Sequence, residues 1–199
     1  MQTYSNRVVV YVESKSTRST KRIVLNSVAI ALVFLATTFT RIPGPVPPGY
    51  INFGDAVIMI TAVLLGKGSG FVAGAFGSAL ADIIVPGGLI FAPFTFIVKG
   101  LEGYVIGRII NGRKQEVEVE VSQNKELRKI LGLIVGALIM VAGYFIAELT
   151  VLKFFDPAFG YAAAIAELPF NLIQGGVSVV MGYLLTTILQ KTGIREFID

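Results

Sequence analysis

The stretch YAAAIAELPFNLIQGGVSVVMGYLLTTILQ, Tyr161 to Gln190, decides how this chain is read: thirty residues with a single charged side chain, Glu167. An upright helix needs about 20 apolar residues to cross hydrocarbon, so the run reads as a membrane span. Within it Glu167, Asn171, Gln174 and Ser178 follow at steps of four, three and four. At about 3.6 residues per turn these project along one stripe, with Pro169 and Gly175-Gly176 loosening the helix beside it. A polar stripe in a span either bonds a neighbouring helix, for about 0.6 to 2 kcal/mol per contact, or walls a wet cavity. The cavity is the better reading for Glu167 and Asn171, toward one end, and interhelical bonding for Ser178.

Composition extends this reading to the whole chain. Hydrophobic residues make up 54% of 199, charged residues 15%, and mean hydropathy is +0.73, whereas a soluble domain carries about a quarter charged residues. Working back from Tyr161, Asp156-Pro157 mark a turn over 153–160, preceded by apolar runs at Ile130–Leu152 and Ala92–Ile110. Two shorter runs, Phe71–Val85 and Asp55–Leu65, are joined by the expected turn Gly66-Lys67-Gly68-Ser69-Gly70, and Ile23–Thr40 comes first. Short, glycine-broken spans of this kind accompany transporter sites. The fold class expected is an all-α membrane protein, a six-transmembrane-helix bundle forming one domain over residues 21–199.

Residues 1–20 read as a polar cytoplasmic tail, in which the alternation from Val8 to Val12 has strand character but no evident partner. An outer loop is expected at 41–54, where four prolines and two glycines between Arg41 and Tyr50 argue against helix or strand ladder. A charged cytoplasmic loop is expected at 111–129. With six spans, the tail, Lys67, the 113–129 stretch, Lys191 and Arg195 fall on one side, leaving Arg41 and Lys153 on the other. The positive-inside rule then places both termini in the cytoplasm.

The net charge of +4 resides in these short connections, so it speaks for membrane orientation and not for nucleic acid. Cysteine and histidine are both absent, which removes disulfides, thiolate and imidazole catalysis and the commonest zinc ligands. No metal or cofactor site is expected.

Ionisable groups inside spans are costly and mark binding or transport sites. Besides the stripe in the last span, the chain places Asp55, Asp82, Lys99, Glu102 and Glu148 in apolar surroundings. Lys99 and Glu102, three apart, can neutralise each other locally; alternatively Lys99 points to Glu148 or Asp82 on another helix. Asp55 and Asp82 stand at span ends, where Asp55 is also placed to cap a helix. Small residues at contact spacing, including Gly70, Gly74 and Ser78, Gly132 and Gly136, and Gly175 and Gly182, describe tightly packed helices. Ser27 and Ala31 share that spacing near the cytoplasmic end of the first span, where a partner helix could dock.

Four segments taken in order resemble a known family: Tyr50-Ile51-Asn52-Phe53-Gly54-Asp55-Ala56-Val57-Ile58-Met59, Leu64-Leu65-Gly66 through Gly70, Gly77-Ser78-Ala79-Leu80-Ala81-Asp82, and Ala92-Pro93-Phe94-Thr95-Phe96-Ile97-Val98-Lys99-Gly100. Together they are similar to the substrate-binding S components of energy-coupling factor (ECF) vitamin transporters, in the branch with riboflavin-, pyrimidine- and pyridoxine-type members. That resemblance implies a six-helix protein of the prokaryotic plasma membrane that binds a vitamin or precursor under its first outer loop. It further implies a separate transmembrane coupling subunit and two cytoplasmic ATPase subunits as partners. The family's Ala-x-x-x-Ala docking motif on the first helix has its nearest counterpart here in Ser27 and Ala31.

The chain has no Gly-x-x-x-x-Gly-Lys-Ser/Thr loop, so energy from ATP must come through a partner. Candidate ligand contacts are Asn52, Phe53, Asp55, Phe94, Lys99, Glu102, Tyr144, Glu148, Glu167 and Asn171, with Tyr50, Phe96 and Phe145 as further stacking candidates. The alternative function is a self-sufficient proton- or cation-coupled carrier using Asp82, Glu148 or Glu167. A membrane enzyme ranks last, for want of a nucleophile or metal set.

Overall fold

The structure, a computed structural model, describes residues 15–47, 49–111 and 122–198. Helix α1, Lys15–Phe39, contains neither glycine nor proline, so nothing in its sequence stops it at the membrane edge. It begins inside the expected 1–20 tail, whose final six residues are therefore helix. The rest of that tail, with the Val8–Val12 alternation, lies outside the described residues.

The connection after α1 departs from the expected ladder-free loop. Strands β1, Ile42–Pro43, and β2, Tyr50–Ile51, pair antiparallel, Ile42 opposite Ile51 and Pro43 opposite Tyr50. Proline is compatible with such a pair because half the positions of an edge strand need no N–H for the ladder. Gly44 N donates to Gly49 O at 2.9 Å and Gly49 N to Val46 O at 2.8 Å, closing the loop on itself.

Helix α2, Gly54–Leu65, ends at Gly66, whose φ of +88° only glycine adopts readily. The expected five-residue turn thus shrinks to one residue, since α3, Lys67–Val72, begins at once. It continues through a π turn, Ala73–Gly77, into α4, Ser78–Ile84. A second left-handed glycine, Gly87, follows Pro86, and a 3-10 turn at Gly88–Ile90 leads into α5, Ala92–Asn111. The expected 111–129 loop is also shortened: Ser122–Thr150 is one helix, α6, and 112–121 lie outside the described residues. A 3-10 turn at Leu152–Phe154, then α7, Tyr161–Lys191, and α8, Ile194–Ile198, complete the chain.

Among the described residues three stretches are long and apolar enough to cross a membrane, Ser19–Phe39, Asn124–Phe154 and Tyr161–Lys191. On α7 the polar stripe of Glu167, Asn171, Gln174 and Ser178 is buried, while Leu172, Ile173, Val180, Leu184 and Ile188 are exposed. Polar groups inside and hydrocarbon outside suit a helix surrounded by lipid.

Glycines set how closely the helices approach. A Cβ on Gly103 would strike the backbone of Gly70, and one on Gly74 the carbonyl of Lys99, so α3 and the π turn lie backbone to backbone on α5. Gly175 faces Ala137 on α6, and Gly182 faces Met59 on α2. The core between α2, α5 and α6 is Met59, Ala62, Val63, Ile106, Leu133 and Ala137, closed by Val179 and Tyr183 of α7. At the end of the bundle away from the β1–β2 loop, Arg128 donates to the carbonyls of Ile109 and Ile110, at 2.9 and 3.0 Å, holding the last turn of α5 to α6. Lys129 reaches across to Thr187 and Gln190 of α7, at 3.1 and 3.2 Å.

Candidate ligand cavity

A cavity of about 490 Å³, its open mouth included, lies where the β1–β2 loop meets the helices. The last turn of α1 contributes Thr37, and the loop and its exit contribute Gly49, Tyr50 and Asn52. From α4 come Ser78 and Asp82, one turn apart, and from α5 Thr95 and Lys99, likewise one turn apart. Phe91 precedes α5, Tyr144 and Glu148 stand on α6, and Glu167, Asn171 and Gln174 on α7. The four-residue steps follow from the helical repeat, which puts i and i+4 on one face.

One side of the cavity is braced by a network joining three helices. Lys99 Nζ donates to Asp55 Oδ1, and Gln174 Nε2 donates to Asp55 Oδ2 at 2.7 Å. Gln174 Oε1 in turn accepts from Asn52 N at 2.7 Å, and Asn52 Oδ1 accepts from Gly54 N at 2.8 Å, one of the free donors at the start of α2. Glu102 Oε2 lies 3.8 Å from Lys99 Nζ, and the Lys99 ammonium stands 5.3 Å from the Tyr144 ring centroid. Lys99 is thus held by Asp55 first and Glu102 second, not by Asp82 or Glu148.

The loop is pinned over the cavity by side chains of two helices. Glu167 Oε1 accepts from Val46 N at 3.0 Å, and the same carboxylate sits so close to Gly44 and Gly49 that a Cβ on either would meet it at 2.8 Å. Tyr50 donates to Asp82 Oδ1 at 2.5 Å. Burial and the adjoining Asp82 carboxyl push the Tyr50 phenol well above its usual range, so it keeps its proton and remains a donor. Thr95 and Tyr144 hydroxyls bond at 2.9 Å across α5 and α6.

Of the ten expected ligand contacts, Asn52, Lys99, Tyr144, Glu148, Glu167 and Asn171 line the cavity, and four do not. Phe53 precedes α2 and is 38% exposed, its N–H donating to Thr40 Oγ1. Asp55 is buried in the first turn of α2 without capping it, because its carboxylate is taken by Lys99 and Gln174. Glu102 is fully buried one turn further along α5, and Phe94 packs on the Leu152–Phe159 cluster. Among the further stacking candidates Tyr50 lines the cavity, whereas Phe96 packs edge-on against Phe71 and Phe76.

Thr37, Ser78, Phe91 and Thr95 also line the cavity without having been expected there as ligand contacts. For Ser78 and Thr95 the signal available in the sequence is the four-residue step to Asp82 and to Lys99; Thr37 and Phe91 have none. Ser178 is buried, but its Oγ has no hydrogen-bond partner among the described residues, so interhelical bonding does not account for it. Ser27 and Ala31 lie on the exposed side of α1, where Ser27 Oγ donates to Ile23 O at 2.9 Å.

Comparison with known proteins agrees with this architecture. A solved S component of a bacterial ECF transporter superposes with a TM-score of 0.69 at 20% identity, over 87% of this chain and 98% of that one. The Lactococcus lactis subsp. cremoris (strain MG1363) thiamine precursor transporter HmpT is 28% identical over 178 residues, 89% of this chain and 92% of its own. An uncharacterised protein from Pyrococcus woesei is 36% identical over 159 residues, 80% of this chain and 95% of its own. The model of the ECF-type riboflavin transporter S component family matches residues 17–191. Matched over that length, the chain is a member of the ECF-type riboflavin transporter S component family.

Proposed function

We propose that this chain is the membrane-embedded subunit that captures a vitamin or vitamin precursor for uptake, in the cavity beneath the β1–β2 loop. The observation that carries the reading is the convergence of polar side chains from α4, α5, α6 and α7 on that one space, in a chain of the S component family. Hydrophilic groups so placed inside apolar helices suit a chamber that receives a water-soluble guest. The thiamine precursor carried by the Lactococcus relative and the riboflavin of the family's name both fall within this class.

In this reading the chain crosses the plasma membrane six times, α1, α2, α3 with α4, α5, α6 and α7 being the crossings. Both termini are cytoplasmic and the β1–β2 loop faces out. The exposed small residues Ser27 and Ala31 on α1 dock a separate transmembrane coupling subunit, which two cytoplasmic ATPases drive. Glu167 and Tyr50, which tie the loop to α7 and α4, hold the guest in by keeping the loop down.

Uptake into proteoliposomes tests this. The chain alone is expected to bind radiolabelled vitamin without accumulating it, and accumulation is expected once coupling subunit, ATPases and internal ATP are supplied. Accumulation by the chain alone, abolished by a protonophore, would instead make it a proton-coupled carrier.

A further inference from the structure

The exposed face of α5 carries a pattern that vitamin capture does not use. Ile97, Leu101, Tyr104 and Arg108 follow at steps of four, three and four, so they stand in one row along the helix. All four are exposed. Beside the row, Phe71 of α3 and Phe76 of the π turn meet Phe96 of α5 edge to face, with ring centroids 6.1 and 5.0 Å apart. A Cβ on Gly107 would strike the backbone of Lys67, which seats the start of α3 on the turn of α5 between Tyr104 and Arg108. From there the exposed Lys67 side chain lays its ammonium 5.6 Å from the Tyr104 ring centroid. Two cations therefore border one tyrosine at the end of the bundle away from the β1–β2 loop. Neither is paired with a carboxylate among the described residues, and Glu126, at the same end, is held by Lys129 at 3.1 Å.

We propose that Lys67, Tyr104 and Arg108 bind the headgroup of an anionic phospholipid, its phosphate between the two cations and an acyl chain along Leu101, Ile97 and Phe76. The arginine guanidinium fits phosphate oxygens with two parallel N–H bonds, and the lysine adds a point charge. The tyrosine, an amphipathic ring, suits the level where headgroup meets hydrocarbon. With α5 a membrane crossing, a rise of about 1.5 Å per residue sets Ile97 about 16 Å from Arg108, which matches one leaflet of a hydrocarbon core about 30 Å thick. The polar and apolar parts of one lipid thus meet the polar and apolar parts of one row. Charge decides the lipid class. An anionic headgroup offsets the two unpaired cations, whereas a zwitterionic one brings a third positive charge with no free carboxylate beside it.

The test is native mass spectrometry of the purified full chain in detergent, titrated with phosphatidylglycerol or with phosphatidylcholine of the same acyl chains. The chain is expected to retain phosphatidylglycerol more tightly, by about fivefold for each cation engaged. Lys67→Gln and Arg108→Gln should each lower that preference by about fivefold, and the double variant should abolish it. Lys191→Gln, which removes an exposed lysine at the same end of the bundle, should leave it unchanged. All variants are compared at an unchanged melting temperature in detergent alone. Millimolar inorganic phosphate should not displace the lipid, because phosphate lacks the chain that the apolar row receives. Equal retention of the two lipids, a preference intact in the double variant, or an equal loss in Lys191→Gln would overturn the assignment. Displacement by phosphate would overturn it too, making the two cations a site for free phosphate. None of these results bears on vitamin capture at the other end of the bundle.

Discussion

Lys99 is the ammonium on which the braced side of the cavity is organised, and its value lies in what its removal would strand. Asp55 is fully buried and shares its two oxygens between Lys99 and Gln174. Breaking a buried ion pair from one side costs about 3 to 5 kcal/mol, because the partner charge stays in low dielectric. Lys99→Met is therefore expected to lower unfolding stability in detergent by about that amount, and adding Asp55→Asn should recover more than half of it. Strict additivity of the two substitutions would show that the pair is not coupled. Glu167→Ala and Asn171→Ala should behave differently: each has a side open to the cavity, so each should weaken ligand retention while leaving folded yield largely intact. The sequence made these residue types conspicuous by placing them in apolar runs, but not their pairing. Asp55 lies 44 residues from Lys99, and only the packing of α2 on α5 brings the two together.

At the scale of elements, glycine governs how near α5 comes to its neighbours. Gly103 meets the backbone of Gly70 directly, whereas a Cβ on Gly176 would find nothing within 4 Å. Gly103→Val must push two helices apart, and overpacking of this sort costs about 1 to 3 kcal/mol or more. Gly176→Ala, in an open helix interior, should instead stabilise by about 0.5 to 1 kcal/mol. Thermal unfolding of the two variants checks both signs at once. The small-residue spacing was legible because close contact demands it. The π turn at Ala73–Gly77 was not, since an extra residue per turn leaves no mark in composition and is set by what the helix packs against. The β1–β2 pair was hidden for a related reason: proline discourages strands on average, yet a position whose N–H no partner needs tolerates it.

At the scale of the molecule, span-like polarity along the chain carried the helical, membrane-type reading, and the family resemblance quoted on segments between Tyr50 and Gly100 agreed with the later match over residues 17–191. The cavity itself was legible in part. Polar side chains at helical spacing indicated a shared face, while which faces meet depends on helix rotation and tilt, which a sequence pattern leaves open. Phe94 and Phe53 were drawn in by residue type alone, and their neighbours took them elsewhere.

The absence of cysteine makes the central claim, a ligand chamber open to the outside beneath the β1–β2 loop, directly measurable. Ser78→Cys and Ser178→Cys each introduce one thiol at a buried serine, the first lining the cavity and the second not. Both would be exposed in intact cells to a membrane-impermeant methanethiosulfonate, with and without a mixture of vitamins and their precursors. The account predicts that the thiol at 78 is modified and that the mixture slows its modification, while the thiol at 178 stays unreactive. Equal reactivity at the two positions, or modification at 78 that no component of the mixture slows, would contradict it.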